Sequence, residues 1–146
     1  MNLNIDRGDI TLTINDDADK AICFNPGDVA FTEQFYTLTQ KLEGKEKEYA
    51  EKMKALENSG LDKYGIPKNL KKQIAIVKDI CTFMREEIDS LFGEGTSETA
   101  FGKTNTLDMF TQFFEGITPY IQSTRDDKMA KYLESANREQ KRAVLK

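Results

Sequence analysis

No histidine occurs among the 146 residues. That removes the commonest general base and the usual partner of a nucleophilic Ser or Cys. Cysteine is scarce as well, with only Cys23 and Cys81, far apart in the chain. A zinc centre would have to combine these two distant thiols with carboxylates, which is a poor donor pattern. Both cysteines fall in apolar runs and read as small, reduced core residues of a cytosolic protein rather than as a disulfide. There is no P-loop and no GxGxxG. No apolar run approaches the ~20 residues that a membrane span requires. The opening MNLNIDRGDITL lacks the basic region and apolar stretch of a signal peptide, so a cytoplasmic location is expected. Basic charge is in deficit, with 21 Lys and Arg against 25 Asp and Glu and a net charge of −4. A nucleic-acid binder would normally carry a basic footprint. The expectation is a non-enzymatic chain without cofactor or metal, and without a nucleic-acid or membrane partner.

What is present is amphipathic pattern. The length favours one domain, large enough to bury a core without staples. Leu3 and Ile5, then Ile10, Leu12 and Ile14, alternate with polar neighbours, and Ile22 and Phe24 resume the alternation after Asn15–Asp19. This period of two predicts a hairpin of two or three short strands over 3–24. So small a sheet must rest its apolar face on helices or on another subunit.

The Asn-Pro-Gly-Asp joint then hands over to a helix predicted over 26–57. Asn25 is read as its cap, Pro26 as its first residue and Asp28 as a carboxylate near the positive dipole end. Phe31, Phe35, Leu38, Leu42, Tyr49, Met53 and Leu56 share one face of it, interrupted by Lys45 beside Gly44. A stop is expected at Asn58-Ser59-Gly60, and Pro67 opens a second helix predicted over 67–92. Leu70, Ile74, Val77, Cys81, Met84, Ile88 and Leu91 form a heptad seam along it, with Ile76, Ile80 and Phe83 as a second row. One seam packs the two helices as an antiparallel pair, and Gly93 is a suitable C-cap. The second row needs another partner.

Residues 94–105 read as a flexible connector with Phe101 in it, separating a first unit (1–93) from a C-terminal helical segment (106–146). That segment begins with a helix over 106–117 carrying Leu107, Phe110, Phe113, Phe114 and Ile117. A bend or restart is expected at Thr118-Pro119. A final helix from Thr124 carries Met129, Tyr132, Leu133 and Ala136, and its basic tail (Arg138, Lys141, Arg142, Lys146) reads as a solvated helix end. The fold class predicted is mainly α with a small N-terminal β-hairpin (α+β), two long helices forming an antiparallel pair, and C-terminal helices.

Several short patterns have bland explanations that outweigh the chemical ones. Asn15, Asp17 and Asp19 match three positions of a calcium loop, but Lys20 stands where Gly is needed and Pro26 where a bidentate Glu should be. They read as a polar turn. Arg7-Gly8-Asp9 reads as a turn between strands, and Glu86 and Glu87 as solvated charge beside Arg85. The aromatic rows, Phe31 with Phe35 and Phe110 with Phe113 and Phe114, read first as core. The helices nevertheless offer more apolar faces than two helices and one hairpin can cover, which points to a partner helix or self-association. Ile76, Ile80 and Phe83 are the first candidate partner-binding surface, and Phe113 and Phe114 the second. Met84, Met109 and Met129 would suit an adaptable groove.

The stretches INDDADKAICFNPGDVAFTEQFYTL, within Ile14 to Leu42, and IDSLFGEGTSETAFG, from Ile88 to Gly102, resemble small tail-gene proteins of long-tailed phages and prophages of Gram-positive bacteria, the tail assembly chaperones and their neighbours. The resemblance covers around 44 positions. It implies a non-enzymatic protein of the bacterial host's cytoplasm, a homo-oligomer that binds and solubilises the helical tape measure protein. It further implies help in recruiting tail tube protein before the chaperone is shed. The alternative is a structural tail or connector subunit retained in the virion. A small enzyme or metal-dependent regulator assembled from scattered carboxylates is the remaining reading.

Overall fold

The computed structural model describes residues 1–56 and 60–123. The protein is mainly helical, with an antiparallel two-stranded hairpin at its N-terminus. Strand β1 (Ile10–Ile14) pairs with β2 (Asp17–Phe24), Ile10 lying opposite Phe24 and Leu12 opposite Ile22. Asn15 and Asp16 make the turn with φ of 52° and 61°. A two-residue hairpin loop of the twist-matching kind needs positive φ at both positions, which Asn and Asp tolerate. The three-residue calcium-like pattern is thereby broken up. Asp17 already belongs to β2, and its carboxylate accepts from the Asp19 N–H at 3.0 Å. The register shifts beyond Thr13, which pairs with Ala21 while Ile14 pairs with Asp17.

Leu3 and Ile5 form no strand and are exposed, so alternation over five residues without a neighbour to pair with was not enough to make one. Arg7-Gly8-Asp9, expected as a turn between strands, has no strand before it; Gly8 has φ 84° and its N–H donates to Asp6 Oδ1 at 2.9 Å. Asn25 Nδ2 donates to the Arg7 carbonyl and ties this segment to the joint after β2.

That tie displaces the expected cap. Asn25 opens a tight turn instead, with the Asp28 N–H on the Asn25 carbonyl at 3.2 Å and Pro26 at the second position, where its fixed φ suits a turn. Asp28 becomes the N-cap of helix α1 (Val29–Ala55), extended at φ −73° and ψ 123° and accepting from the Ala30 N–H at 3.0 Å. Leu56 is the C-cap, so the helix ends earlier than the pattern predicts; Asn58 and Ser59 of the expected stop lie outside the described residues.

Helix α2 (Leu70–Phe92) runs antiparallel to α1. Phe31 near the start of α1 meets Phe92 at the end of α2, and Lys41 bridges to Glu87 at 3.3 Å. Pro67 precedes the helix by three residues and bridges to Leu61, with Asn69 in the cap position. Asn69 donates to the Leu56 carbonyl, closing the loop end of the pair. Of the heptad seam, Val77, Cys81, Met84, Ile88 and Leu91 are at least half-buried, whereas Leu70 and Ile74 are exposed. The lower half of the helical pair is therefore core, and the upper half is an arm. Burial pushes the Cys81 thiol up, partly opposed by Arg85. Cys23, expected in the core, sits on the solvent side of β2 and is exposed, because Ile22 and Phe24 take the inward face.

Gly93 closes α2 with φ 119°, a value that favours glycine. The stretch expected to be a flexible connector is in fact helix α3 (Thr96–Phe101). Asp89 makes it so: its carboxylate accepts from the Ser97 N–H at 2.8 Å and the Ser97 hydroxyl at 3.1 Å, and Ser97 is buried. Arg85 then holds the next joint through Asn105 Oδ1 at 2.7 Å and the Thr104 carbonyl at 2.6 Å. Residues 107–123 form α4 without interruption at Pro119. The carbonyl that Pro119 leaves without a helical donor is that of Glu115, on the exposed side where water can serve it. The final helix and basic tail predicted after Thr124 lie outside the described residues.

Among the described residues, one core joins elements on both sides of the expected connector, while residues 124–146 of the predicted C-terminal segment lie outside the described residues. Ile22 and Phe24 of β2, Phe31 of α1, Cys81 and Ile88 of α2, and Phe110, Phe113, Ile117 and Ile121 of α4 form a single buried cluster. Phe92 is its junction: its ring lies 5.5 Å from Phe24, 5.4 Å from Phe31 and 5.3 Å from Phe113, edge-on in each case. Substituting Phe92 by Ala is expected to lower unfolding stability by about 3–5 kcal/mol. Asp28→Ala should lower it by about 1 kcal/mol through the lost cap. Urea titrations followed by circular dichroism measure both, and equal losses would contradict the assigned roles.

Candidate functional site

Between α1, α2 and α4 lies a groove of about 640 Å³. Such a volume lies within the roughly 300–1,000 Å³ of ordinary ligand pockets. Leu42, Lys45, Glu46 and Tyr49 of α1 form one wall, and Ile80 and Met84 of α2 the floor. Leu107, Phe110, Thr111, Phe114, Glu115, Thr118 and Pro119 of α4 form the other wall. The lining is apolar and aromatic, with charge only at the edges. Lys45 does not point freely into it. Its ammonium lies 4.9 Å from the Phe83 ring centre and within 3.6 Å of Glu48 and 3.9 Å of Asp79. Glu48 in turn binds Lys52 at 2.8 Å, and that hydrogen bond holds the carboxyl below its ordinary range and the ammonium above its own. These charges are exposed and add little stability. Glu46 and Glu115 are the exposed charges left at the mouth.

The five candidate partner-binding residues fall into three environments. Ile80 and Phe114 are brought together across the groove. Ile76 and Phe83 lie beside it: Ile76 borders a shallow dent with Tyr49 and Lys52, and Phe83 is capped by Lys45. Phe113 is buried in the core rather than on the groove. It is 8% exposed and packed against Phe92, Phe101 and Phe114 at 5.3–5.5 Å. A one-residue difference on α4, about 100° of rotation, turns Phe113 to the core and Phe114 to the groove. Met84 lines the groove and Met109 a second depression of about 470 Å³ between the hairpin and α4; Met129 lies outside the described residues.

Leu42, Tyr49 and Leu107 belong to the site without having been singled out. The signal was Lys45: a charge interrupting an apolar row marks where the row leaves the core and becomes a lined surface. Glu87, read as solvated, is half-buried and paired with Lys41, whereas Glu86 is exposed. Among the described residues, no group of three or more His, Cys, Asp or Glu side chains is clustered so as to hold a metal ion. No helix among them is long and apolar enough to cross a membrane.

Among known proteins, residues 18–144 match a family of unknown function, DUF6673, and the chain belongs to that family. No curated protein and no solved structure matches it.

The contrast between neighbouring phenylalanines is testable. Phe113→Ala should lower stability by about 3–5 kcal/mol, as a buried aromatic truncation does. Phe114→Ala should cost less than half of that, with helicity by circular dichroism unchanged. Equal losses would show that the groove wall is core.

Proposed function

We propose that this member of the DUF6673 family is a non-enzymatic, oligomer-forming adaptor of the tail-assembly-chaperone kind, which holds an apolar helix of a tape measure protein in the groove between the arm and α4. The observation that carries the reading is the groove itself: an apolar cleft bordered by three helices, a surface suited to the apolar face of an amphipathic helix. Ile80 and Met84 would contact that face from below, with Leu42 and Tyr49 on one side and Leu107 and Phe114 on the other. A Met in the floor can repack around different side chains, which suits a long client of varied sequence. Modest affinity per copy, multiplied over many copies, would allow binding and later release, with tail tube protein recruited in between.

Co-expression with the tape measure protein encoded by the same phage or prophage tests this reading. The tape measure protein should be found in the soluble fraction, bound to this chain, and should be lost from it with Ile80→Asp or Phe114→Asp. Equal solubility without this chain, and no complex on gel filtration, would sink it.

The two-stranded sheet favours one other reading. A sheet this small offers strand edges to a neighbour's sheet, as a structural tail or connector subunit would use them. Mass spectrometry of purified virions separates the two: an adaptor that is shed should be missing, and a structural subunit present in fixed stoichiometry.

A further inference from the structure

The loop joining α1 to α2 presents apolar side chains in a way that a simple connection does not require. Leu61, Tyr64 and Ile66 are 63%, 74% and 42% exposed. The backbone beneath them is firmly built. Asp62 Oδ1 accepts from the N–H groups of Tyr64 at 2.8 Å and Ile66 at 3.0 Å, and the Asp62 N–H donates to the Ile66 carbonyl at 2.8 Å. Leu61 bridges to Pro67, and the Lys68 N–H donates to the Gly60 carbonyl at 3.1 Å. Residues 60–68, held by these hydrogen bonds, lose little entropy on binding, so their outward side chains are preorganised for a contact.

The charge around this tip is opposite to that of the molecule. Lys63 lies over the Tyr64 ring at 5.1 Å, and Lys68, Lys71 and Lys72 are exposed close by, while the Asp62 carboxylate is taken up by backbone N–H groups. The chain as a whole carries a net charge of −4. The complement to a convex, apolar, basic tip is a concave, apolar site with acidic edges. The groove is that site: its lining is apolar, Glu46 and Glu115 stand exposed at its mouth, and Lys45 is turned away onto Phe83, Glu48 and Asp79.

We propose that the Leu61–Tyr64–Ile66 tip of one copy of this chain docks in the groove of a second copy, head to tail. The contact has to be made between copies. Leu61, Tyr64 and Ile66 are not among the residues that line the groove of their own chain, whose α1 wall runs from Leu42 to Tyr49 while the helix continues to Ala55. A volume of about 640 Å³ admits the Tyr64 ring together with one of its apolar neighbours, and Lys63 and Lys68 then meet Glu46 and Glu115 at the mouth. Tip and groove are different surfaces, so a pair of copies still has one tip and one groove free, and association continues into chains or closes into rings. A contact made by a few side chains of one loop is of the weak, transient kind rather than the roughly 1,200–2,000 Å² of stable complexes, so it forms and dissolves with concentration. The proposal rests on the groove being a docking site, as the adaptor reading has it, and makes the tip the resident occupant that a client helix displaces.

Sedimentation velocity of the full chain over a range of concentrations is the test. The wild type should associate progressively, and less so in high salt, because exposed charge pairs are screened. Tyr64→Asp (tip) and Phe114→Asp (groove) should each weaken association at least about tenfold, as loss of a central aromatic contact does. Thr111→Lys, at an exposed position of the groove wall, should do the same without any risk to the core. The decisive arm is the mixture. Tyr64→Asp retains an intact groove and Thr111→Lys an intact tip, so equimolar mixing should restore a dimer that grows no further. A wild type that stays monomeric at every concentration, a mixture that stays monomeric, or single variants that associate like the wild type would each overturn the proposal. So would Tyr64-dependent binding of the monomer to phosphatidylglycerol vesicles, which would assign the tip to an anionic lipid surface. Tyr64→Asp should still keep a co-expressed tape measure protein soluble, so that failure of self-docking is distinguished from failure of the adaptor reading.

Discussion

Phe92, the last residue of α2, touches an aromatic ring from each of three other elements: Phe24 of β2, Phe31 of α1 and Phe113 of α4. Each contact is edge-on at 5.3–5.5 Å, the arrangement that ring quadrupoles favour and that adds about 0.5–1.5 kcal/mol per pair beyond area burial. Remove this junction and the hairpin, the helical pair and α4 lose their common contact. Gly93 follows at once, and its positive φ turns the chain away so that α3 can form and α4 can return across the cluster. Phe101 extends the same relay to Phe110 at 4.9 Å and Phe113 at 5.5 Å. The small sheet, which could not stand alone, is stable because Phe24 is one of the rings.

The position of that junction also explains why the protein has an arm. Aromatic packing gathers the N-terminal part of α1 and the C-terminal part of α2 against the sheet and α4. Among the described residues, the remaining turns of both helices are less covered, and Leu70 and Ile74 are exposed there. The Asn69 side chain clasps the Leu56 carbonyl at their far end. A groove at the base of the arm and a tip at its end are thus consequences of one asymmetry: a core built at a single end of a long helical pair. Function, on the reading proposed, uses the surface that this asymmetry leaves uncovered.

Periodicity carried much of the architecture. The hairpin, both long helices, their antiparallel pairing and the Gly93 stop were legible because each rests on local rules: alternation of two, a row at three and four, and a residue suited to positive φ. The errors arose where a local signal had a distant competitor. Asn25 has the chemistry of a cap, but its side chain was claimed by the Arg7 carbonyl, and Asp28 took the role. Residues 94–105 look like a connector until Asp89, on the preceding helix, supplies the acceptor that organises α3. Cys23 is one residue away from the inward face it was assigned to, and Phe113, read as core or as candidate surface, is core while its neighbour Phe114 faces the groove; strand pleat or helix rotation sends such neighbours to opposite environments.

By itself, the sequence determined that this chain is an acidic, mainly helical protein with a small hairpin and with more apolar helix face than its own elements obviously cover. Those properties depend on composition and on spacing along the chain, which no packing can change. Only the tertiary structure decided which surplus faces meet: that Phe113 is core while Phe114 and Ile80 share a groove, and that Leu61, Tyr64 and Ile66 stand out on a tip. The physical reason is that a helix pattern specifies a stripe but not what lies opposite it. That assignment had to wait for the angle at which α4 leaves the aromatic cluster around Phe92.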